Sequence, residues 1–304
     1  MKKEVSILSI VCNHEKYLHE FFNGILSQKL AESFELIVGV DKCTDQSKAI
    51  CLQYQQQYPG LVKVIVHQEL AGMFNNFLSV YQQCTGKYIA ICEGDDYWTD
   101  EFKLQKQLAA LRQNQDAVLC FTDIKIFDDD LKSYHPNWAT IKKNVFTIDD
   151  LIEGNMIATC TVLFRNILTE PFSEAFTRLP MVDWPLFVNL ARHGKAIYLQ
   201  DTTAVYRRNS LSIFAKNPIL QQLQKKEEVY QYFLQEPLLA CRKKKIEKAY
   251  YLNLYAIAVR LSETNRNKRA NFNKIIKHAL LHANPALLFK SFVRRLIKSP
   301  AIVN

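Results

Sequence analysis

The stretch Gly86-Lys87-Tyr88-Ile89-Ala90-Ile91-Cys92, running into Glu93-Gly94-Asp95-Asp96, decides the reading of this chain. A short apolar run with branched and aromatic residues, bounded by polar ones, reads as a buried strand. It ends in three carboxylates within four residues. Such charges repel one another unless protons or a cation compensate them. A hard divalent ion held by one or two carboxylates and a diphosphate would do so, keeping water in its other positions. Gly94 permits a tight backbone where the side chains converge. The same residues also suit a solvated acidic turn ahead of the next helix, with Asp100 as its N-cap. Spacing alone does not choose between the two.

On the N-terminal side, strand and helix patterns alternate. Val5 to Val11, Phe34 to Val40 and Leu61 to Val66 are short apolar runs of strand type. Between and after them come helical stripes: Tyr17, Leu18, Phe21, Phe22, Ile25 and Leu26; then Asp45 to Tyr58; then Gly72 to Cys84. Past the acidic cluster, Leu104 to Leu111 reads as helix and Ala117 to Phe121 as strand. This order predicts a mostly parallel sheet with helices packed on it. Ligands of such sheets bind outside the carboxyl ends of the strands, where both Asp41 and Glu93 to Asp96 fall.

Residues 126–215 are less regular: a helix signal at Asp149 to Glu153, a strand at Thr161 to Phe164, a helix at Trp184 to Ala191 and a strand at Ala196 to Leu199. From about residue 216 the pattern is helical, with Pro218, Pro237 and Pro285 as breaks. The expected division is therefore 1–215 for the α/β domain and 216–304 for a basic helical C-terminal region. Residues 216–304 hold 18 Lys/Arg and 5 Asp/Glu, whereas the rest of the chain holds 21 and 25. A basic tail on a slightly acidic body points to an anionic surface. The pattern of Lys290, Arg294, Arg295 and Lys298 among Leu287, Leu288, Phe289, Phe292, Leu296 and Ile297 suits an anionic membrane leaflet. It equally suits a helical bundle with solvated cations. No nucleic-acid reader motif accompanies the charge, so no nucleic-acid partner is expected.

None of the eight cysteines forms a C-x-x-C pair, which removes support for a zinc or redox motif. The apolar run near the start is too short to span a membrane and precedes no signal-cleavage pattern. The chain reads as cytoplasmic with reduced thiols, and its tail leaves open a peripheral place on the inner face of the plasma membrane. Neither a dinucleotide fingerprint nor a P-loop is present, so a diphosphate would have to be handled by metal and side chains.

Three further positions can carry chemistry. Asp41 could accept hydrogen bonds from a base or ribose, or simply bond its own turn. Asp183, in Met181-Val182-Asp183-Trp184-Pro185-Leu186, could be a general base with a raised pKa or a helix N-cap. Arg207 and Arg208, in Tyr206-Arg207-Arg208-Asn209, could grip phosphate or lie on a solvated loop. His14 and His193 stand alone in the sequence and read as structural or solvent-facing.

Together these segments resemble family 2 glycosyltransferases of the GT-A fold, especially the bacterial branch that builds surface polysaccharides. The resemblance covers residues 4 to about 214. Asn13-His14-Glu15-Lys16-Tyr17-Leu18 is similar to the family's nucleotide-proximal loop. Gly39-Val40-Asp41-Lys42-Cys43-Thr44-Asp45 is similar to the stretch whose aspartate contacts a uracil-type base. Glu93 to Asp100 followed by Lys103-Leu104-Gln105-Lys106-Gln107 resembles the D-x-D metal segment, with Glu93 in the first acidic place. Phe146 to Leu151 and Asn155 to Asn166 also fit the branch, and Asp183 falls where the family places its base.

The resemblance implies a Rossmann-like GT-A domain with a helical extension. It further implies inverting transfer from a nucleotide-sugar donor, UDP-linked by expectation, to a glycan or lipid-linked acceptor. Asp95 with Asp96 or Glu93 would hold Mg2+ or Mn2+, Asp183 would be the base, and Asp41 with Val11 and Asn13 would bind the nucleoside. Two positions depart from the pattern: Asn209 stands where a histidine is usual, and Val40 where many relatives carry an acid. A catalytically silent, nucleotide- or partner-binding subunit is the alternative that Asn209 encourages.

Overall fold

The computed structural model of the chain describes residues 3–137, 140–168, 172–209 and 218–264. Its first half builds as the alternation predicts. Strands β1 (Val5–Val11), β2 (Phe34–Val40), β3 (Val62–Val66) and β4 (Tyr88–Ile91) alternate with helices α1 (Leu18–Leu26), α2 (Ser47–Gln57) and α3 (Gly72–Tyr81). β1, β2 and β4 are almost wholly buried, which explains their continuous apolar runs. β1 pairs in parallel with both β2 and β4, and β2 in parallel with β3. In register, Val11 lies opposite Val40, so both strands run out at the same edge.

The second half is built differently. β5 (Tyr97–Trp98) and α4 (Lys103–Gln113) precede the long β6 (Ala117–Asp128), which turns back through β7 (Ser133–Pro136). Then come β8 (Val145–Phe146), α5 (Ile148–Glu153), a 3-10 turn at Thr159–Thr161, and β9 (Leu163–Arg165). Helices α6 (Glu174–Thr177) and α7 (Asp183–Leu190) lead to β10 (Lys195–Arg208). The strand order is β3-β2-β1-β4-β9-β6-β10-β5, with β7 on β6 and β8 on β10. β9 runs antiparallel between β4 and β6, whereas β10 is parallel to β6. The result is a mixed α/β fold with a mostly parallel sheet.

β10 is much longer than the Ala196–Leu199 segment that its apolar pattern marks. Exposed Gln200, Asp201 and Thr202 interrupt the pattern, and the pairing absorbs them as bulges between Leu199 and Thr202 and between Thr202 and Ala204. Buried Thr203 then meets Thr122 hydroxyl to hydroxyl at 2.6 Å.

The main core gathers Ile7, Val11, Phe21, Phe22, Ile25, Val38, Cys92, Trp98, Leu104, Leu108, Cys120 and Leu163 from strands and helices alike. Cys51, Cys84, Cys92, Cys120 and Cys160 are buried free thiols and act as small apolar groups.

The chain divides into two compact units, one of 1–151 with 155–212 and another of 152–154 with 213–304. In the second unit, α8 (Ile219–Gln235) and α9 (Lys243–Thr264) flank a 3-10 segment, Pro237–Arg242. Val229, Tyr230 and Phe233 are its buried residues on α8. Lys245 pairs with Glu153 inside this unit. Among the described residues no helix is long and apolar enough to cross a membrane. The amphipathic stretch expected around residues 285–304 lies outside the described residues.

Candidate functional site

The acidic cluster occupies the connection from β4 to β5, at the edge where β1, β2 and β10 also end. Cys92 N donates to Leu8 O and Gly94 N to Ile10 O, so the segment continues alongside β1 beyond the regular ladder. Gly94 is required by this closeness. A Cβ there would lie 2.6 Å from Val11 Cγ2, 3.0 Å from His14 Nδ1 and 3.2 Å from Leu18 Cδ2. His14, structural or solvent-facing by its sequence context, has its Nδ1 buried at the acidic loop without a hydrogen-bond partner.

The three carboxyl groups have distinct surroundings. Asp96 is 2% exposed, and its Oδ1 accepts from Arg207 N at 2.8 Å. Burial first, then the charges of Asp95 and Glu93, raises its pKa well above the ordinary carboxylate range. Burial likewise pushes Glu93 up to about 8, helped by the charges of Asp95 and Asp183 and opposed by a Thr159 hydrogen bond. Glu93 Oε2 is buried without a hydrogen-bond partner. Asp95 Oδ2 accepts from Asn209 Nδ2 at 3.0 Å. Thus the residue standing at the usual histidine position touches the middle carboxylate. The neighbouring Tyr206 phenol is raised by burial and by the charges of Asp96, Asp95 and Glu93.

Asp183 begins α7 and is within the electrostatic reach of Glu93. Its carboxylate does not sit at the N-cap, which is Val182. Instead its Oδ2 accepts from Asn155 Nδ2 at 2.6 Å, and the Trp184 backbone N–H also donates to it. Burial raises its pKa, and these two donors oppose the rise. α7 is pinned by Trp184 Nε1, which donates to Leu151 O at 2.7 Å.

At the far side of β1, Asp41 N donates to Val11 O at 2.9 Å. The Asp41 carboxylate accepts from Lys42 N, Ala71 N and Gly72 N at 2.8, 2.8 and 2.9 Å. It organises the entry to α3, which is close to the turn-forming role open to it from sequence. Asn13 has φ 57°, a left-handed conformation that asparagine tolerates. Its Oδ1 accepts from Thr44 N at 2.8 Å, tying the loop after β1 to the loop after β2. Val11, Asn13, Asp41 and the acidic loop therefore form one connected rim.

Arg207 and Arg208 both sit at the end of β10, and Arg208 is partly buried. The Arg207 guanidinium lies over the rings of Tyr17, Tyr97 and Phe127, at 5.0, 4.7 and 5.6 Å to the centroids. It also pairs with Glu20. A cavity of about 500 Å3 opens beside it, lined by Lys16, Tyr17, Glu20, Tyr97, Asp129 and Tyr134 among others. Much of that lining is mutually satisfied: Tyr17 OH donates to Asp129 Oδ2, and the Tyr97 and Tyr134 hydroxyls meet at 3.0 Å.

A support behind the cluster has no chemical signal in the sequence. Lys103 is fully buried, with Nζ donating to Gln107 Oε1 at 2.6 Å and to Thr161 O at 3.2 Å. Gln107 Nε2 donates to Thr161 O and Cys120 O at 2.8 and 3.0 Å. Trp98 Nε1 donates to Cys160 O at 2.8 Å, and Lys103 Nζ lies 4.4 Å from the Trp98 ring centroid. Burial lowers the Lys103 pKa to about 8. These groups fix the 3-10 turn whose Thr159 and Cys160 side chains bond Glu93 and Asp96. The segment Lys103 to Gln107 is visible as a family-like motif, but its target, some 55 residues downstream in sequence, is not.

Among the described residues no three His, Cys, Asp or Glu side chains are arranged to hold a metal by themselves. The donor set instead suits an ion that takes one or two carboxylates and completes its shell with phosphate and water. The orphaned Glu93 Oε2 and the acidic Asp95 fit such an ion.

Comparisons with known proteins bear on the family and the fold. An uncharacterized protein of Mycobacterium tuberculosis is 33% identical over 211 residues, 69% of this chain and 60% of that protein. The chain therefore spans about 60% of the length of that relative. The Escherichia coli protein WfgD, a UDP-Glc:alpha-D-GlcNAc-diphosphoundecaprenol beta-1,3-glucosyltransferase, is 22% identical over 83% of this chain and 92% of its own. Among solved structures, Staphylococcus aureus TarS 1-349 with UDP-GlcNAc superposes with a TM-score of 0.65 at 15% identity, covering 91% of this chain and 80% of that one. The mannosyltransferase PcManGT of Pyrobaculum calidifontis, with GDP-Man and Mn2+, gives 0.58 at 12% identity, covering 98% of this chain and 86% of that one. Both share the GT-A type of fold. The family model described as glycosyl transferase family 2 matches residues 6–172, more than half of the 304, and the chain belongs to that family.

Proposed function

We propose that this chain is an inverting glycosyltransferase that moves a sugar from a nucleotide-diphosphate donor to a hydroxyl of a glycan or lipid-linked acceptor in surface polysaccharide synthesis. One observation carries the reading. Asp183, at the start of α7, is near enough to Glu93 for their charges to interact, and Glu93 follows β4 at the sheet edge where β2 runs out into Asp41. A UDP-linked donor is favoured by the names of WfgD and of the TarS complex.

Asp95, with Glu93 or Asp96, would hold Mg2+ or Mn2+ against the donor diphosphate, and that ion supplies charge stabilisation to the departing nucleoside diphosphate. The protein's own groups do the rest. Val11, Asn13 and Asp41 shape the rim for base and ribose. Asp183 takes the proton of the acceptor hydroxyl as that oxygen attacks the anomeric carbon from the face opposite the leaving group. Partial burial favours this role, because a carboxylate that has lost some hydration binds a proton more readily. Arg207 and Arg208 flank the acidic loop; in Arg207 the backbone N–H already steadies Asp96.

The test is Asp183→Asn, assayed for UDP release from UDP-glucose and UDP-N-acetylglucosamine with Mn2+. A loss on the order of 100-fold or more, with an unchanged manganese-UDP thermal shift, supports the assignment. Near-native turnover removes Asp183 from the base role.

A second reading follows from Asn209. Its amide donates to Asp95 Oδ2, an oxygen that a cation would otherwise claim. In this reading the chain binds nucleotide or a partner subunit and turns over little. Absence of manganese-dependent UDP release from both donors, in protein that binds UDP, would favour it.

A further inference from the structure

The base assigned above has a close neighbour whose role the family resemblance does not specify. Asn155 follows α5 and reaches Asp183 across 28 residues of sequence. Its amide cannot turn over freely. Asn155 Oδ1 accepts from Ile157 N at 3.1 Å, so Nδ2 is the atom that faces Asp183 Oδ2, at 2.6 Å. Ile157 itself is 1% exposed, which anchors that acceptor bond in the core.

We propose that Asn155 is a positioning residue for Asp183, holding one carboxylate oxygen so that the other is presented to the acceptor hydroxyl. The inference rests on Asp183 being the base. Three features support it. The donor is neutral, so it orients the carboxylate without supplying the counter-charge that would weaken it as a base; a lysine or arginine here would do the opposite. The Trp184 backbone N–H adds a second fixed donor at the helix start, which limits rotation about the Asp183 side chain. Third, with Oδ2 held by Asn155 at 2.6 Å the side chain keeps one orientation, and catalytic geometry loses rate steeply with small misplacements.

The readout must separate positioning from folding. Asn155→Ala removes the donor, and Asn155→Asp replaces it with a like charge of the same shape. A manganese-UDP thermal shift matching wild type in Asn155→Ala establishes an intact fold and donor rim. In that variant kcat for UDP release from UDP-glucose should fall on the order of tenfold, with KM for the donor within about twofold. The acidic limb of its kcat profile should move up by about one pH unit, since a hydrogen bond to the charged form has been lost. Asn155→Asp should lose more than Asn155→Ala. Combined with Asp183→Asn, Asn155→Ala should add nothing.

An independent measurement uses no turnover at all: carbon-13 NMR titration of the aspartate carboxyls, with Asp183 assigned by its loss in Asp183→Asn. Its titration should shift upward in Asn155→Ala. An unshifted Asp183 titration, or a full additive loss in the double variant, overturns the proposal while leaving the glycosyltransferase reading intact. Near-native turnover of Asp183→Asn alone would instead remove the base, and the positioning role with it.

Discussion

At the scale of single residues, the charges at the end of β4 create a pH signature. Glu93 has a folded-state pKa of about 8 against an ordinary 4.5, so the folded protein holds a proton there that the unfolded chain releases. Its contribution to stability is fully present below about pH 4.5 and is lost as the pH rises through about 8. With a chelator present, stability followed by urea unfolding should therefore fall across that window, by an amount on the order of 2–4 kcal/mol. Glu93→Gln should flatten the decline, and a variant profile parallel to wild type would refute the assignment. Asn209 offers the complementary test. Asn209→His replaces an amide with imidazole beside Asp95, and manganese titration followed by thermal shift should show affinity gained on the order of tenfold. Glu93, Asp95, Asp96 and Asp183 are legible because carboxylates at strand and helix ends stand out in a sequence. Asn155, His14 and the contact of Asn209 are not, since an amide or imidazole reveals its partner only when chain segments far apart are brought together.

At the scale of elements, the alternation of period and length makes β1 to β4 and α1 to α4 legible to within a few residues. The second half is harder for identifiable reasons. β10 carries polar Gln200 to Thr202 in its middle, so its apolar pattern breaks although its hydrogen-bonded pairing continues through bulges. The run Thr161 to Phe164 has the pattern of one strand, whereas the structure gives Thr159 to Thr161 to a 3-10 turn and starts β9 at Leu163. That turn is held by Lys103 and Gln107 from α4, and its stability should depend on them. Gln107→Leu deletes two donors to the buried Thr161 and Cys120 carbonyls. A loss of about 2–4 kcal/mol is expected, measured as a lower urea midpoint with unchanged slope. An unchanged midpoint would show that neither bond matters to the fold.

At the scale of the whole molecule, two features of the chain are open to sequence analysis: a family-type α/β body and a charge excess of Lys and Arg concentrated past residue 216. The expected boundary near 215 stays a proposal about autonomous domains, to be set beside the division between the two compact units at 212 and 213. Membrane attraction by the basic region is likewise a proposal, and its most amphipathic stretch, 285–304, lies outside the described residues. Flotation with vesicles containing anionic lipid should retain the full-length chain at low salt and release it at about 0.5 M salt, because surface attraction of this kind is screened. A version ending at residue 284 should float less; equal flotation would place the attraction elsewhere.

The tie between Asn209 and Asp95 has a thermodynamic corollary. Asn209 immediately follows β10, and Arg207 within that strand grips Asp96 through its backbone, so two rungs of one strand end rest on two neighbouring acids. Under the proposed metal role, a cation that draws Asp95 away from Asn209 would loosen the first rung. Loading of that ion and slack at the end of β10 would then be reciprocal quantities: whatever tightens one relaxes the other by the same free energy.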